Sequence, residues 1–213
     1  AFAQPWTSEK AQPEHVLEMR FTIRSEIQVT DASLALEESG VTTIYLNGEE
    51  VEKKDCGYFV DECIRRFPLP AIPAGTSELI LKLAYSRDTN PEWCYLLGSF
   101  GVRAEGSEAC LTKLPDTVAF GDYSTQGFPF YAGNMIYEAQ LDAEEDGEYV
   151  IAAEKFRAPL LKVEVDGEAA GRIALSPYQL SLGYLKKGRH SITLTSYGNR
   201  YNAFGTVHIC DEK

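Results

Sequence analysis

Along most of this chain the apolar residues recur at every second position. Leu17, Met19, Phe21 and Ile23 alternate with Glu18, Arg20, Thr22 and Arg24, the pattern of a strand that buries one face and wets the other. Leu79, Leu81, Leu83 and Tyr85 repeat it against Glu78, Lys82 and Ser86. Tyr137, Ala139 and Leu141 do so again, as do Leu161, Val163 and Val165 against Lys162 and Glu164. Ile192 and Leu194 sit between Ser191, Thr193 and Thr195. Dipeptides that tolerate positive φ punctuate the runs: Asn47-Gly48 after Ile44-Tyr45-Leu46, Asp146-Gly147, and Asp166-Gly167 after Val163-Glu164-Val165. They predict tight hairpin turns. One segment reads differently. Phe59, Cys63, Ile64 and Phe67 fit a helical spacing that Pro68 and Pro70 close, so at most a short helix is expected there. No long helix is expected anywhere.

Short strands with regular turn signals point to a β-sandwich or jelly roll. A chain of 213 residues is large for one such sandwich, and a faint internal repeat offers a division. In the first half a strand over 41–46 leads to Asn47-Gly48, then Pro73-Ala74-Gly75, a strand over 78–85, and Phe100-Gly101-Val102. In the second half a strand over 160–165 leads to Asp166-Gly167, then Lys187-Gly188, a strand over 191–197, and Phe204-Gly205-Thr206. The expected fold is therefore all-β: two tandem jelly-roll sandwiches, residues 1–110 and 111–213. Their join falls in 104–122, a weakly periodic stretch read as a linker plus a first edge strand.

Composition narrows the function classes. There are 20 Lys+Arg against 32 Asp+Glu, a net charge of −12. A surface this acidic repels phosphate backbones and anionic membranes, so neither nucleic acid nor a membrane is an expected partner. No apolar run is long enough for a membrane-spanning helix. The chain begins at Ala1 without a signal-like segment and is read as an excised piece of a longer protein. Five cysteines (Cys56, Cys63, Cys94, Cys110 and Cys210) form no C-x-x-C pair, and no N-x-[ST] sequon occurs. Reduced thiols and a cytoplasmic location are expected.

Most catalytic and ligand motifs fail on inspection. Gly183 and Gly188 have P-loop spacing, but the Lys-Ser/Thr that grips phosphate and magnesium is missing. Asp142-Ala-Glu144-Glu-Asp146-Gly147 resembles half an EF-hand loop, yet Ala153 stands where a bidentate Glu is required. A structural calcium held by backbone carbonyls would leave no trace in sequence; no cofactor is indicated. His15, His190 and His208 lie in no hydrolase motif and read as packing or surface residues. Paired carboxylates such as Glu49-Glu50, Asp61-Glu62 and Glu144-Glu145-Asp146 sit at turn tips, without the apolar surroundings that would make one a general acid.

Aromatic clusters remain. Planar rings stack on the C–H faces of sugars while polar side chains read the hydroxyls. Two clusters combine these types, Asn90-Pro-Glu-Trp93-Cys-Tyr95 and Tyr197-Gly-Asn199-Arg200-Tyr201-Asn-Ala-Phe204. Each lies just past the corresponding strand of its half. Trp93, Tyr95, Tyr197, Asn199, Arg200 and Tyr201 are the candidate carbohydrate contacts. The competing reading is that these rings cap the sandwich ends.

The stretch Phe128-Pro-Phe-Tyr131-Ala-Gly133-Asn-Met-Ile-Tyr137 resembles the opening of the sugar-binding domain of glycoside hydrolase family 2 and related glycosidases. Val163-Glu-Val165-Asp166-Gly167 resembles that family's V-x-V-N-G hairpin, and Leu185-Lys-Lys187-Gly188-Arg-His190 its L-x-x-G-x-N turn. Asp166 and His190 each stand where the family has Asn. In the first half, Tyr45-Leu46-Asn47-Gly48 and Ala74-Gly75 are similar to the same galactose-binding-like superfamily. The resemblance implies sandwiches that flank a separate catalytic barrel, which needs about 250 residues of its own. No catalytic residue carries over to this chain. The implied role is a non-catalytic region of a larger glycoside hydrolase that buttresses the catalytic domain and contributes to carbohydrate binding. The alternatives are a free-standing carbohydrate-binding module and a small jelly-roll hydrolase or lyase.

Overall fold

The computed structural model describes residues 12–87, 89, 91–106 and 108–199. They form an all-β structure of several sheets and divide into two compact units, one on either side of the Thr117–Val118 bond.

Unit 1 contains β1 (His15–Ser25), β2 (Ser33–Leu36), β3 (Thr42–Leu46), β4 (Glu49–Glu50) and β5 (Tyr58–Phe59). These are followed by β6 (Asp61–Pro68), β7 (Gly75–Tyr85), β8 (Tyr95–Leu97), β9 (Gly101–Glu105) and β10 (Glu108–Thr112). One sheet has the order β4-β3-β7-β1-β10-β9, the other β5-β6-β2-β8. β1 and β7 pair antiparallel from end to end, setting Leu17, Met19 and Phe21 opposite Leu83, Leu81 and Leu79. The period-2 pattern thus places the apolar set of both strands on one face. The charged alternates pair on the other face, Glu18 with Lys82 and Arg20 with Glu78. Leu34 and Leu36 of β2 and Phe67 of β6 meet Ile44, Leu46, Leu79 and Leu81 in one buried cluster. The core of unit 1 therefore lies between its two sheets.

Unit 2 begins with a short 3-10 turn at Tyr123–Thr125, followed by β11 (Met135–Ala143), β12 (Gly147–Ala152) and β13 (Leu161–Val165). β14 (Glu168–Ile173), β15 (Gln179–Leu185) and β16 (Gly188–Ser196) complete it. The larger sheet has the order β11-β16-β13-β14, and β12 pairs with β15. Strand for strand this repeats β1-β7-β3-β4 and the β2–β6 pair of unit 1. Val163, Ile173 and Ile192 from the larger sheet bury against Leu185, with Ile151, Leu180 and Leu182 packed around them. Each unit has its own core.

Two of the three expected hairpin turns form with positive φ; at Asp146-Gly147 neither residue takes a positive φ, because β11 and β12 are not a hairpin but pair with β16 and β15 in different sheets. Asn47 and Gly48 have φ of 53° and 86°, and Asp166 and Gly167 have 51° and 84°, the left-handed pair a type I′ turn requires. The two first-position side chains do the same job. Asn47 Oδ1 accepts from the Glu78 backbone N–H at 2.9 Å, and Asp166 Oδ1 from that of Ser191 at 2.8 Å.

The helical reading of residues 59–67 is wrong. The segment is a β-hairpin, β5 and β6, that turns at Val60 with φ 64°. β6 pairs with β2, Leu34 facing Phe67 and Ala35 facing Arg66. Apolar spacing over so short a stretch fits either period, and non-local pairing decides between them. The stretch 104–122 was expected to be a linker plus a first edge strand, but its strand is an inner strand of unit 1's larger sheet. That strand is β10, which pairs with β9 and, in parallel, with the end of β1, Arg24 facing Cys110.

Candidate functional site

The central strand β2 of unit 1's smaller sheet is buried on both faces. Leu34 and Leu36 enter the core, so Ser33 and Ala35 lie on the outer face as a floor of small side chains. Arg66 of β6 and Tyr95 of β8 flank Ala35 in the register. They share its outward side, since Phe67 beside Arg66, and Cys94 and Leu96 beside Tyr95, pack inward. Phe59 reaches across the intervening strands to Tyr95, with ring centroids 5.1 Å apart and planes tilted by 52°. Arg66 donates from Nη2 to Ser33 Oγ at 3.2 Å. Its Nε is buried and meets no acceptor among the described residues. Trp93, two residues before β8, is 53% exposed. Burial pushes the Glu37 carboxyl above the usual carboxylate range, and the neighbouring charges of Glu92, Asp61 and Glu38 push it the same way.

A second aromatic group gathers where β11 and β13 begin and β16 ends, with Met135 and Leu161 both facing Ser196. Tyr131 meets Phe128 and Tyr123 edge to face at 5.7 and 6.3 Å and donates its hydroxyl to the Asn134 carbonyl at 3.0 Å. Phe120 stacks on Tyr137 at 4.8 Å, and burial pushes the Tyr137 hydroxyl up. Asn134 Oδ1 accepts from the Gly198 N–H at 2.9 Å. The Asn199 amide donates to the Arg157 carbonyl at 2.7 Å. Polar groups here tie loop to loop, as in a sandwich end that is being closed.

Of the candidate residues, Tyr95 lies beside a constellation the sequence reading missed, Phe59, Arg66 and Ser33, and Trp93 is two residues before Tyr95 in the chain. Treating 59–67 as helical concealed the constellation, because only strand alternation sends Arg66 outward while Phe67 turns in. Tyr197 and Asn199 belong to the closed end of unit 2; the Tyr197 backbone N–H donates to the Leu160 carbonyl at 3.1 Å. Arg200 and Tyr201 lie outside the described residues. The segment containing Phe120, Tyr123 and Tyr131, read as linker and family motif, supplies most of the rings at that end.

Other features offer less. An apolar recess of about 230 Å³ in unit 2 is lined by Leu141, Ile151, Leu182 and Ile192. The one hydroxyl in its lining, on Tyr149, is committed to the Glu145 carbonyl. His190 lies at the opposite end of unit 2 from the aromatic group, with Nδ1 2.6 Å from Asp166 Oδ2 and Nε2 2.8 Å from the Lys186 carbonyl. Among the described residues no three His, Cys, Asp or Glu side chains could together hold a metal ion. Cys56, Cys63, Cys94 and Cys110 are free thiols. No described helix is long and apolar enough to cross a membrane.

No family model matches the chain, and no curated protein does. Among solved structures, it is similar to a rhamnosidase from Novosphingobium sp. PP1Y at a TM-score of 0.30 and 12% identity. That match covers 87% of this chain and 19% of the rhamnosidase.

Proposed function

We propose that this chain is a non-catalytic accessory region of a larger glycoside hydrolase. In this reading its two units are tandem jelly-roll, galactose-binding-like sandwiches that buttress the catalytic domain of the same parent and contact carbohydrate. The sequence resemblance in both halves supports it, as does the repeated strand order with a separate core in each unit.

The observation that carries the carbohydrate reading is the outer face of β5-β6-β2-β8. The inner faces of a sandwich are consumed by its core, so a ligand must use an outer face or a loop end. Here the outer face sets Tyr95 and Phe59 beside the half-buried Arg66 guanidinium, with the fully buried Ala35 between Arg66 and Tyr95 in the register; Trp93, two residues before β8, is exposed. Rings supply stacking and Arg66 supplies donors. Titration calorimetry of the whole chain against a panel of neutral and acidic oligosaccharides tests it. Binding in the millimolar to micromolar range is expected, weakened about tenfold by Tyr95→Ala or Trp93→Ala, as for a stacking contact worth about 1.4 kcal/mol. Absence of binding across the panel overturns the carbohydrate role. Turnover of a glycoside by this chain overturns the non-catalytic role.

A further inference from the structure

We infer that the outer face of the β5-β6-β2-β8 sheet selects a carboxylate-bearing sugar, a hexuronic acid residue, with Arg66 receiving the carboxylate and the rings beside it carrying the pyranose. This rests on the carbohydrate reading above and names its ligand class.

The argument starts from how this chain uses its arginines. Arg65, the neighbour of Arg66 on the other side of the sheet, is held by Asp55 at 2.5 Å. Arg20 pairs with Glu18 and Glu78, Arg24 with Glu108, Arg103 with Glu26, and Arg189 with Asp142. In a chain with 32 acids against 20 bases such pairing is the expected state. Arg66 and Arg172 depart from it among the described residues, and of the two Arg66 is the half-buried one, Arg172 being exposed. The Arg66 side chain touches one neutral hydroxyl, and no carboxylate pairs with it among the described residues.

A guanidinium presents five donors in a planar fork that matches a carboxylate in two parallel bonds. Nη2 is engaged by Ser33 Oγ, which orients the fork, and Nε is shut away from solvent, so an incoming carboxylate would meet the Nη1–Nη2 edge. Tyr95, in register across Ala35 from Arg66, and Phe59 against it stand where a ring bearing that carboxylate would lie. Glu37 lies within reach of the charges of Asp61 and Glu92, and carboxylates accept from sugar hydroxyls. A ligand with a carboxylate at one end and hydroxyls at the other satisfies both kinds of group.

The test titrates the whole chain with glucuronate- and galacturonate-containing oligosaccharides, their neutral glucose and galactose counterparts, and the uronate methyl esters. The acid forms are expected to bind at least about tenfold more tightly than either the neutral sugars or the esters, the loss of one charge-assisted bidentate contact. That preference is expected to shrink as salt screens the pair. Arg66→Lys keeps charge and stem but loses the fork, and should erase most of it; Arg66→Gln should erase all of it. The ester comparison stands even if a variant fails to fold. Equal binding of acid, ester and neutral sugar overturns this inference and leaves the carbohydrate reading intact. Failure of every sugar to bind overturns both. A glutamate-rich peptide that competes as well as the sugar acid overturns the choice of a sugar.

Discussion

Asp166 and His190 show how a departure from a family pattern acquires a physical meaning. In unit 1 the turn residue Asn47 holds the start of β7 through the Glu78 N–H and donates its amide to Ser77 Oγ at 3.2 Å. In unit 2 the same position is Asp166, and the partner at the Ser77 position is His190. Both ring nitrogens of His190 face acceptor oxygens, an arrangement that the doubly protonated imidazolium satisfies fully. The Asp166 hydrogen bond chiefly, with the Lys186 carbonyl next, raises the His190 pKa above its ordinary 6.5. The His190 bond, with the Ser191 N–H next, lowers that of Asp166. A histidine whose folded pKa is raised contributes stability that is fully present below about 6.5 and fades as pH rises through the folded value. An aspartate whose folded pKa is lowered contributes above its ordinary value and loses this as pH falls through the folded one. Unit 2 should therefore be best supported by the pair in mildly acidic solution. Thermal melts of the native chain and His190→Gln from pH 5 to 9 should show a gap in Tm that closes toward the alkaline end. A constant gap would mean that the pair's charge contributes nothing.

At the scale of elements, the β5–β6 hairpin and the loop end of unit 2 are set by close approach rather than by propensity. Gly198 lies against the backbone of Ala132 and Gly133, where a Cβ would collide with both carbonyl oxygens, and its N–H is held by Asn134. Backbone cannot swing aside as a side chain can. Gly198→Ala should accordingly destabilise unit 2 by about 1–3 kcal/mol, read from chemical denaturation. Gly167→Ala strains a left-handed turn that has open space around it, so its cost should be the smaller of the two, about 1 kcal/mol. A Gly198→Ala protein as stable as the native one would show that the loops yield freely. The hairpin depends on a long-range contact of another kind. Its local spacing suits a helix, and only the β2 ladder makes it a strand.

For the whole molecule the governing fact is that each unit closes its own core. Ile44 is fully buried in one and Val163 in the other. Truncation of either to Ala leaves a cavity costing about 2–5 kcal/mol for Ile44 and somewhat less for the smaller Val163. Hydrogen exchange should then show lost protection concentrated in 12–117 for Ile44→Ala and in 118–199 for Val163→Ala. Loss spread evenly over both would indicate one cooperative core.

The strand content and the hairpin turns at Asn47-Gly48 and Asp166-Gly167 were readable from residue order. Dyad alternation and positive-φ dipeptides are local properties, written within a few residues of the elements they specify. Strand pairing is not local. Only the β2–β6 and β2–β8 registers bring Ser33, Arg66 and Tyr95 onto one face. Only long-range packing turned 59–67 into a hairpin, and only folding placed Tyr197 and Asn199 among groups that close a sandwich end. A side chain's neighbours across a sheet come from distant parts of the chain, and the free energy that selects them is gained when the two faces meet.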